Sequence, residues 1–154
     1  MVEFLLDLIT NRALMAAAAG FAISQLTKIV IKIIRHRSFD PMLIFSSGGM
    51  PSAHAAFVVA ATFSIMVTEG VSSPMFALGF ALSMIVLHDS VGVRQAAGFH
   101  SRTLNKITKI FNKTNPEILD DKDTKHEEKL GHTLTEVITG TIVGIICGMV
   151  AGII

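Results

Sequence analysis

Tryptophan and tyrosine are absent from this 154-residue chain, and cysteine occurs once. Without Trp and Tyr, a membrane protein lacks the usual aromatic belt at the bilayer interfaces, so only its ten Phe residues remain for that anchoring. The single Cys147 excludes an intrachain disulfide. Charged residues make up only 16% of the chain, and the net charge is +1. Because the basic residues are not interleaved with aromatic ones, the sequence predicts no nucleic-acid-binding surface.

Apolar residues dominate instead, at 51% of the chain, and the mean hydropathy is +0.59. A soluble domain of this size needs more polar surface, because most of its side chains must face water. The apolar residues also occur in blocks of about 20, the length that a helix needs to cross a bilayer. We therefore predict an all-α integral membrane protein, with residues 1–154 forming a single four-helix bundle domain.

Four membrane spans are predicted from the apolar blocks. They cover about residues 12–34, 51–68, 74–94 and 133–154. Residues 1–11 place apolar side chains on one helical face, as a short interfacial helix would. Beyond Arg94, apolar and basic residues mix, which predicts an amphipathic extension near the membrane surface. Residues 112–131 are strongly polar and are predicted to form a solvated connector.

The distribution of basic residues predicts the orientation in the membrane. Of the 13 Lys and Arg residues, all but Arg12 lie at the end of the first span or between the third and fourth spans. Because cytoplasmic segments carry an excess of basic residues, these regions are predicted to face the cytoplasm, with the protein in the plasma membrane. Both termini are then expected outside.

The second span begins with the sequence SSGGMPSAH, which has the features of an anion site. A glycine-rich approach to a helix N-terminus presents free N–H groups and the positive end of the helix dipole. His54 lies one turn inside this helix. The alternative is that Gly48, Gly49 and Pro51 only shape the entry into the helix, and that His54 packs against a neighbouring helix.

Charged residues in the first and third spans are further candidates. Lys28, Lys32 and Arg35 share one helical face, although cations flanking a span are ordinarily topological anchors. Asp89 lies within the apolar part of the third span, where a carboxylate is costly and indicates a functional pairing. Its candidate partners are Arg94, Lys28 and the imidazole of the second span.

The fourth span begins with a histidine and a glutamate. His132 and Glu136 are four residues apart, so the carboxylate can lie one turn from the imidazole and fix its tautomer. Alternatively, Thr133 and Glu136 form a capping box. Together, the cations and the two histidines at this end of the bundle would supply charge neutralisation, a nucleophile and a general acid for phosphoryl transfer.

Three motifs resemble those of a known superfamily. They are Lys28-x6-Arg35, Pro51-Ser52-Ala53-His54, and Arg94 followed by His132-x3-Glu136. They resemble the K-x6-RP, PSGH and SR-x5-H-x3-D motifs of the type 2 phosphatidic acid phosphatase and vanadium haloperoxidase superfamily. The patterns GGMPS-x-H, D-x-x-GVR and GHT-x-x-EV are similar to its small divergent bacterial branch. The resemblance covers roughly residues 24–144.

The resemblance implies a phosphatase that acts on a phospholipid or polyprenyl phosphate without a metal or other cofactor. His132 would be the nucleophile that forms a phosphohistidine, Glu136 its orienting partner and His54 the general acid. The implied phosphate-binding residues are Lys28, Arg35, Arg94, Ser52 and Gly49. Asp89, as an intramembrane carboxylate, completes the predicted catalytic set.

The third motif departs most from the superfamily pattern, because Arg94 and His132 are 38 positions apart instead of six. His100 satisfies the shorter spacing, but the residue four positions beyond it is Leu104, which cannot orient an imidazole. His132 is therefore the preferred nucleophile. The alternative function is an inactive protein that keeps the phosphate cradle and binds or transports an anionic lipid.

The fourth span also carries glycines at every fourth position, at Gly140, Gly144, Gly148 and Gly152. Small residues in register let a membrane helix approach its neighbour closely. The sequence leaves two partners open, a helix of the same chain or the same face of a second copy in a homodimer.

Overall fold

The computed structural model of the chain describes residues 1–36, 49–114 and 131–154, all built around α-helices. The helices are α1 (Val2–Thr10), α2 (Arg12–His36), α3 (Ala53–Glu69), α4 (Pro74–Val91), α5 (Val93–Thr114) and α6 (Leu134–Ile153). Three stretches are long and apolar enough to cross a membrane: Arg12–Ile34, Pro74–Lys113 and Leu134–Ile153. The helix α3 has 17 residues and stands at the lower limit of about 17 for a span. The predicted all-α membrane architecture is confirmed.

Local capping explains where the helices begin. The Ser52 hydroxyl accepts a hydrogen bond from the Ala55 amide at the start of α3 (3.3 Å), and the Ser73 hydroxyl does the same for Met75 at the start of α4 (3.1 Å). These caps satisfy amide donors that have no partner inside the helix. The short turn at Gly70, where φ is +84°, reverses the chain between the two helices.

Two helix boundaries differ in detail from the predicted spans. The third span was expected to continue to Arg94, but α4 ends at Val91 because Gly92 leaves the helical conformation (φ −94°, ψ −89°). The amphipathic extension is the separate helix α5, which reaches Thr114 and so includes the first residues of the predicted connector. Residues 115–130 lie outside the described part of the chain.

The helix α3 occupies the centre of the bundle and packs against α2, α4 and α6. Its contact with α6 is made by the four regularly spaced glycines, all of which are buried. A Cβ at Gly144 would lie 2.8 Å from the Ala56 carbonyl oxygen, and one at Gly148 would lie 2.5 Å from the Ala60 carbonyl oxygen. The glycines thus serve packing within the chain. The homodimer stays a prediction, and it would need another face of the bundle.

At the end of the bundle opposite the polar motifs, Arg12 joins α2 to α6. Its guanidinium donates hydrogen bonds to the carbonyl oxygens of Gly152 (3.2 Å) and Ile154 (3.1 Å) at the end of α6. A cation bound to the last carbonyls of a helix satisfies unpaired acceptors and complements the helix dipole. The first residue of α2 and the last turn of α6 therefore meet, which places the beginning of α6 near the end of α2.

Candidate functional site

His132 is held in a buried position by the carboxylate that follows it in sequence. Its side chain is 3% exposed, and its Nδ1 lies 3.1 Å from Glu136 Oε2. The same oxygen accepts a hydrogen bond from the Thr133 amide (3.0 Å), while the Thr133 hydroxyl accepts one from the Glu136 amide (3.4 Å). The capping box and the orienting carboxylate are therefore one arrangement. Because a carboxylate only accepts, we assign the proton to Nδ1, which leaves a lone pair on Nε2.

A second imidazole reaches the same place from α3. The rings of His54 and His132 have their centroids 6.2 Å apart and are tilted by 57°. His54 is exposed, in contrast to the buried His132. The two histidines thus differ in environment, one being fixed by a carboxylate and the other facing open space.

Arg94 and Asp89 form an ion pair across the break at Gly92. The Arg94 Nε donates to Asp89 Oδ2 over 2.7 Å, and both side chains are partly exposed. Of the candidate partners for Asp89, the structure selects Arg94. Since Nε is the atom used, the two Nη groups of the guanidinium fork stay available for the oxygens of an anion.

The two ends of the long insertion between Arg94 and His132 lie next to each other. The His132 amide donates to the Ser90 carbonyl oxygen over 3.0 Å. Immediately before it, Gly131 has a φ of +84°, and a Cβ at this position would overlap backbone atoms of Arg94 and Gln95. The backbone on either side of the insertion is therefore in direct contact, and the split motif is reunited.

The charges of Lys28 and Arg94 act on His132. Burial lowers the pKa of His132 most, Glu136 raises it, and the positive charges of Lys28 and Arg94 lower it further. Lys28 also interacts electrostatically with Glu136. A Cβ at Gly49, where φ is +104°, would lie 3.9 Å from the Lys28 side chain, so Gly49 lies beside this lysine. The net effect is a neutral imidazole at pH 7.

Two predicted phosphate-binding residues, Ser52 and Arg35, are not seen to face the site. Ser52 is 0% exposed, its amide donates to the Glu136 carbonyl oxygen over 2.8 Å, and its hydroxyl caps α3. The Ser52 amide thus joins α3 to α6 and the hydroxyl caps α3, a use of the backbone donor that the motif does not reveal. The side chain of Arg35 lies outside the described part of the chain.

One cavity of about 550 Å³ brings part of the predicted site together. Lys28, Gly49, Ser52 and Glu136 are not among its lining residues. Its polar part is lined by His54, Asp89, Ser90, Arg94, Gly131 and His132. Its apolar part is lined by Phe21, Phe57, Val58, Ile85 and Val86. The apolar residues were not predicted, because one apolar residue in a span looks like any other. Within the described ranges, no three His, Cys, Asp or Glu side chains are grouped as a metal site would require.

His100, the alternative nucleophile at the shorter spacing, lies outside the cavity. His100 is an exposed residue on α5, and it is not among the residues that line the cavity. His132 combines burial, a carboxylate partner and a position beside His54. The geometry thus favours His132 over the histidine at the shorter spacing.

The comparisons with known proteins agree with these motifs. A family model described as "Divergent PAP2 family" matches residues 9–147. The chain belongs to this family. It is also 34% identical over 139 residues to the "Uncharacterized membrane protein YuiD" of Bacillus subtilis (strain 168), an alignment that covers 86% of this chain and 88% of the relative. No solved structure matches the chain. The resemblance found in the motifs to a divergent branch of this superfamily is confirmed.

Proposed function

We propose that the chain is a membrane phosphatase that hydrolyses a lipid phosphate or diphosphate monoester through a phosphohistidine. One observation carries the proposal: a buried histidine held by a carboxylate, a second histidine and a guanidinium border the same cavity. A nucleophile must approach phosphorus to about 3–3.5 Å, and a general acid must lie within about 2.6–3.2 Å of the leaving oxygen. Both rings line one cavity with their centroids 6.2 Å apart, so a phosphate monoester bound there can lie close to both imidazoles.

The proposed reaction has two steps. In the first, Nε2 of His132 attacks phosphorus, the bond from phosphorus to the lipid oxygen breaks, and His54 gives its proton to that oxygen. In the second, water attacks the phosphohistidine while His54 takes a proton from it. The N–P bond breaks, inorganic phosphate leaves and His132 regains its lone pair.

Arg94 and Lys28 would stabilise the charge on the phosphoryl oxygens, as preorganised cations do in phosphoryl transfer. Asp89 acts on this step through Arg94, because its hydrogen bond fixes the plane of the guanidinium. A role of Arg35 in the same cluster rests on the motif alone. Ser52 has no place in the proposed phosphate contacts, since it is fully buried, does not line the cavity, and its amide already donates to the Glu136 carbonyl oxygen.

The direct test is phosphate release by the purified protein in lipid nanodiscs, with phosphatidate, phosphatidylglycerophosphate and polyprenyl diphosphate as substrates. Turnover of at least one of them, together with an acid-labile phosphoenzyme, is the expected result. An anionic-lipid binding protein would instead bind these lipids with no phosphate release that depends on His132, and that result would overturn the proposal.

The pH dependence of phosphoenzyme formation is expected to respond in opposite directions to two neutralising variants. Only neutral His132 can attack, and its pKa lies below the ordinary value of about 6.5, so the rate falls as the pH drops through this lowered value. Lys28→Gln removes a charge that lowers the pKa, which moves the acid limb to higher pH. Glu136→Gln removes a charge that raises it, which moves the limb to lower pH. Single-turnover rates from pH 4 to 8 measure the acid limb of each variant. Shifts of the same sign in the two variants would contradict the assignment of this limb to His132.

We further propose that the site faces the cytoplasm of the cell, at the plasma membrane. Thiol labelling tests this in a Cys147→Ser background, which removes the one native cysteine. Thr103→Cys on α5 and Ser72→Cys in the turn between α3 and α4 place exposed thiols at opposite ends of the bundle. An impermeant maleimide should label Cys at position 72 in intact cells, and position 103 only in inverted vesicles. The reverse pattern would place the site outside.

A further inference from the structure

The cavity continues from the polar site into a groove between two helices that do not meet. Among the described helices, α2 and α4 both pack on α3, whereas no contact joins α2 to α4. The groove has α3 as its floor, and it is lined by Phe21 from α2, Phe57 and Val58 from α3, and Ile85 and Val86 from α4. These five residues are called the tail groove below.

The residues that line the cavity change from polar to apolar in the same direction along α3 and α4. Phe57 and Val58 lie three and four residues beyond His54, about one helical turn further from the polar end. Ile85 lies one turn from Asp89 in the corresponding direction along α4, and Phe21 lies two turns from Lys28 along α2. The cavity is therefore amphiphilic, with Arg94, Asp89 and two imidazoles at one end and only apolar side chains about one turn deeper.

The apolar walls are also open on the outside of the bundle. Phe21, Phe57 and Ile85 are 40%, 42% and 66% exposed, and all three belong to apolar helices of the membrane bundle. The surroundings of these exposed surfaces are the hydrocarbon of the bilayer, which is where a lipid chain already lies. The rings of Phe21 and Phe57 meet edge to face at 6.5 Å, so these two side chains form a joint wall of the groove on the α2 side.

We propose that the tail groove binds the hydrocarbon chain of the substrate directly beside its phosphate, the lipid entering sideways from the bilayer between α2 and α4. This proposal rests on the proposed function for the identity of the phosphate end. The cavity of about 550 Å³ is in the size range of small-molecule sites, large enough for a phosphate with the adjoining part of one hydrocarbon chain. The part of the hydrocarbon chain next to the phosphate thus contacts the protein and not only the bilayer.

The experiment measures binding and turnover separately. Alkyl phosphonates of two to ten carbons, which cannot be hydrolysed, are titrated calorimetrically into the wild-type protein in nanodiscs. The gain in affinity per added methylene is compared between variants. Phe57→Ala enlarges the tail groove and Val86→Phe fills it. Phe80→Ala is the matched control, because Phe80 is a 53% exposed aromatic residue of α4 that does not line the cavity.

For wild type and Phe80→Ala, we expect two- to fourfold tighter binding per methylene, the upper value following from about 0.8 kcal/mol for each buried methylene. In Phe57→Ala and Val86→Phe, only the weaker gain from partitioning into the bilayer should remain. Ethylphosphonate should bind the four proteins equally well. An equal gain per methylene in all four would overturn the tail groove.

Turnover distinguishes this result from a failure of the proposed function. If ethyl phosphate and the lipid phosphates are hydrolysed by all four proteins with unchanged relative rates, the phosphatase stands and the groove is wrong. If no protein releases phosphate but the binding gain is lost in the two groove variants, the groove stands and the phosphatase is wrong.

Discussion

His132→Ala is expected to abolish phosphate release, by roughly 10³-fold or more, because it removes the atom that bonds to phosphorus. His54 cannot replace it, since this imidazole has no carboxylate partner within the described part of the chain. The acid-labile phosphoenzyme should disappear together with turnover. Rapid-quench labelling with a ³²P-labelled lipid phosphate measures both quantities in the same reaction.

His54→Ala should give a different defect at the same site. A general acid contributes roughly 10²–10⁴-fold, and its loss matters most when the leaving oxygen is a poor leaving group. We therefore expect a large loss with an alkyl phosphate and a small one with nitrophenyl phosphate, whose leaving group needs no proton. His132→Ala should be inactive with both substrates.

His100→Ala is the matched control for these variants, because it removes an exposed imidazole that does not line the cavity. Its turnover is expected to equal that of the wild type. Loss of the phosphoenzyme in His100→Ala, with its retention in His132→Ala, would assign the nucleophile to the histidine at the shorter spacing.

The grouping of His54, Asp89, Arg94 and His132 could be predicted because polar residues are rare in the apolar spans of this chain. Asp89 and His54 are conspicuous in such a setting, and the cost of placing them there indicates partners. The pairing of His132 with Glu136 followed from the four-residue spacing of a helix turn. The sequence alone also indicated which end of the bundle they share, since spans of alternating direction bring the end of one helix next to the beginning of the next.

Contacts between backbones could not be predicted in the same way. The amide of Ser52 was expected to face an anion, but the carbonyl oxygen of Glu136 accepts its hydrogen bond. Nothing in the side chains signals this choice, because it depends on how closely α6 approaches α3. The same holds for the glycines of α6, whose spacing predicts a close contact without naming the partner helix.

The apolar residues that line the cavity could not be predicted from the sequence either. In a span where almost every residue is apolar, the residue type does not distinguish a side chain that faces lipid from one that faces a cavity. Phe57 and Phe80 are both exposed aromatic residues in apolar helices, and only the structure shows that one of them lines the site. The division between polar and apolar parts of the cavity is therefore a structural finding.

The close contact between the two ends of the insertion depends on Gly131. Gly131→Ala is therefore expected to cause the second large loss of activity. The residue has a φ of +84°, and an added Cβ would lie against backbone atoms of Arg94 and Gln95, which cannot move aside as a flexible side chain would. The substitution should push His132 away from Arg94 without removing a single chemical group of the site. Because a misplacement of about 1 Å can cost 10²-fold, we expect a loss of this order in turnover.

Gly70→Ala is the control that separates strain from overlap, since Gly70 has the same φ of +84° and no atom within 4 Å of its added Cβ. Both variants bear the cost of an alanine at positive φ, roughly 1–2 kcal/mol, so both should lose some thermal stability in the nanodisc. Only Gly131→Ala should lose turnover, because Gly70 lies at the opposite end of α3 from His54. Equal turnover in the two variants would mean that contact of residue 131 with Arg94 does not position the nucleophile. A selective loss in Gly131→Ala would show that the split motif works because its two halves meet at this glycine.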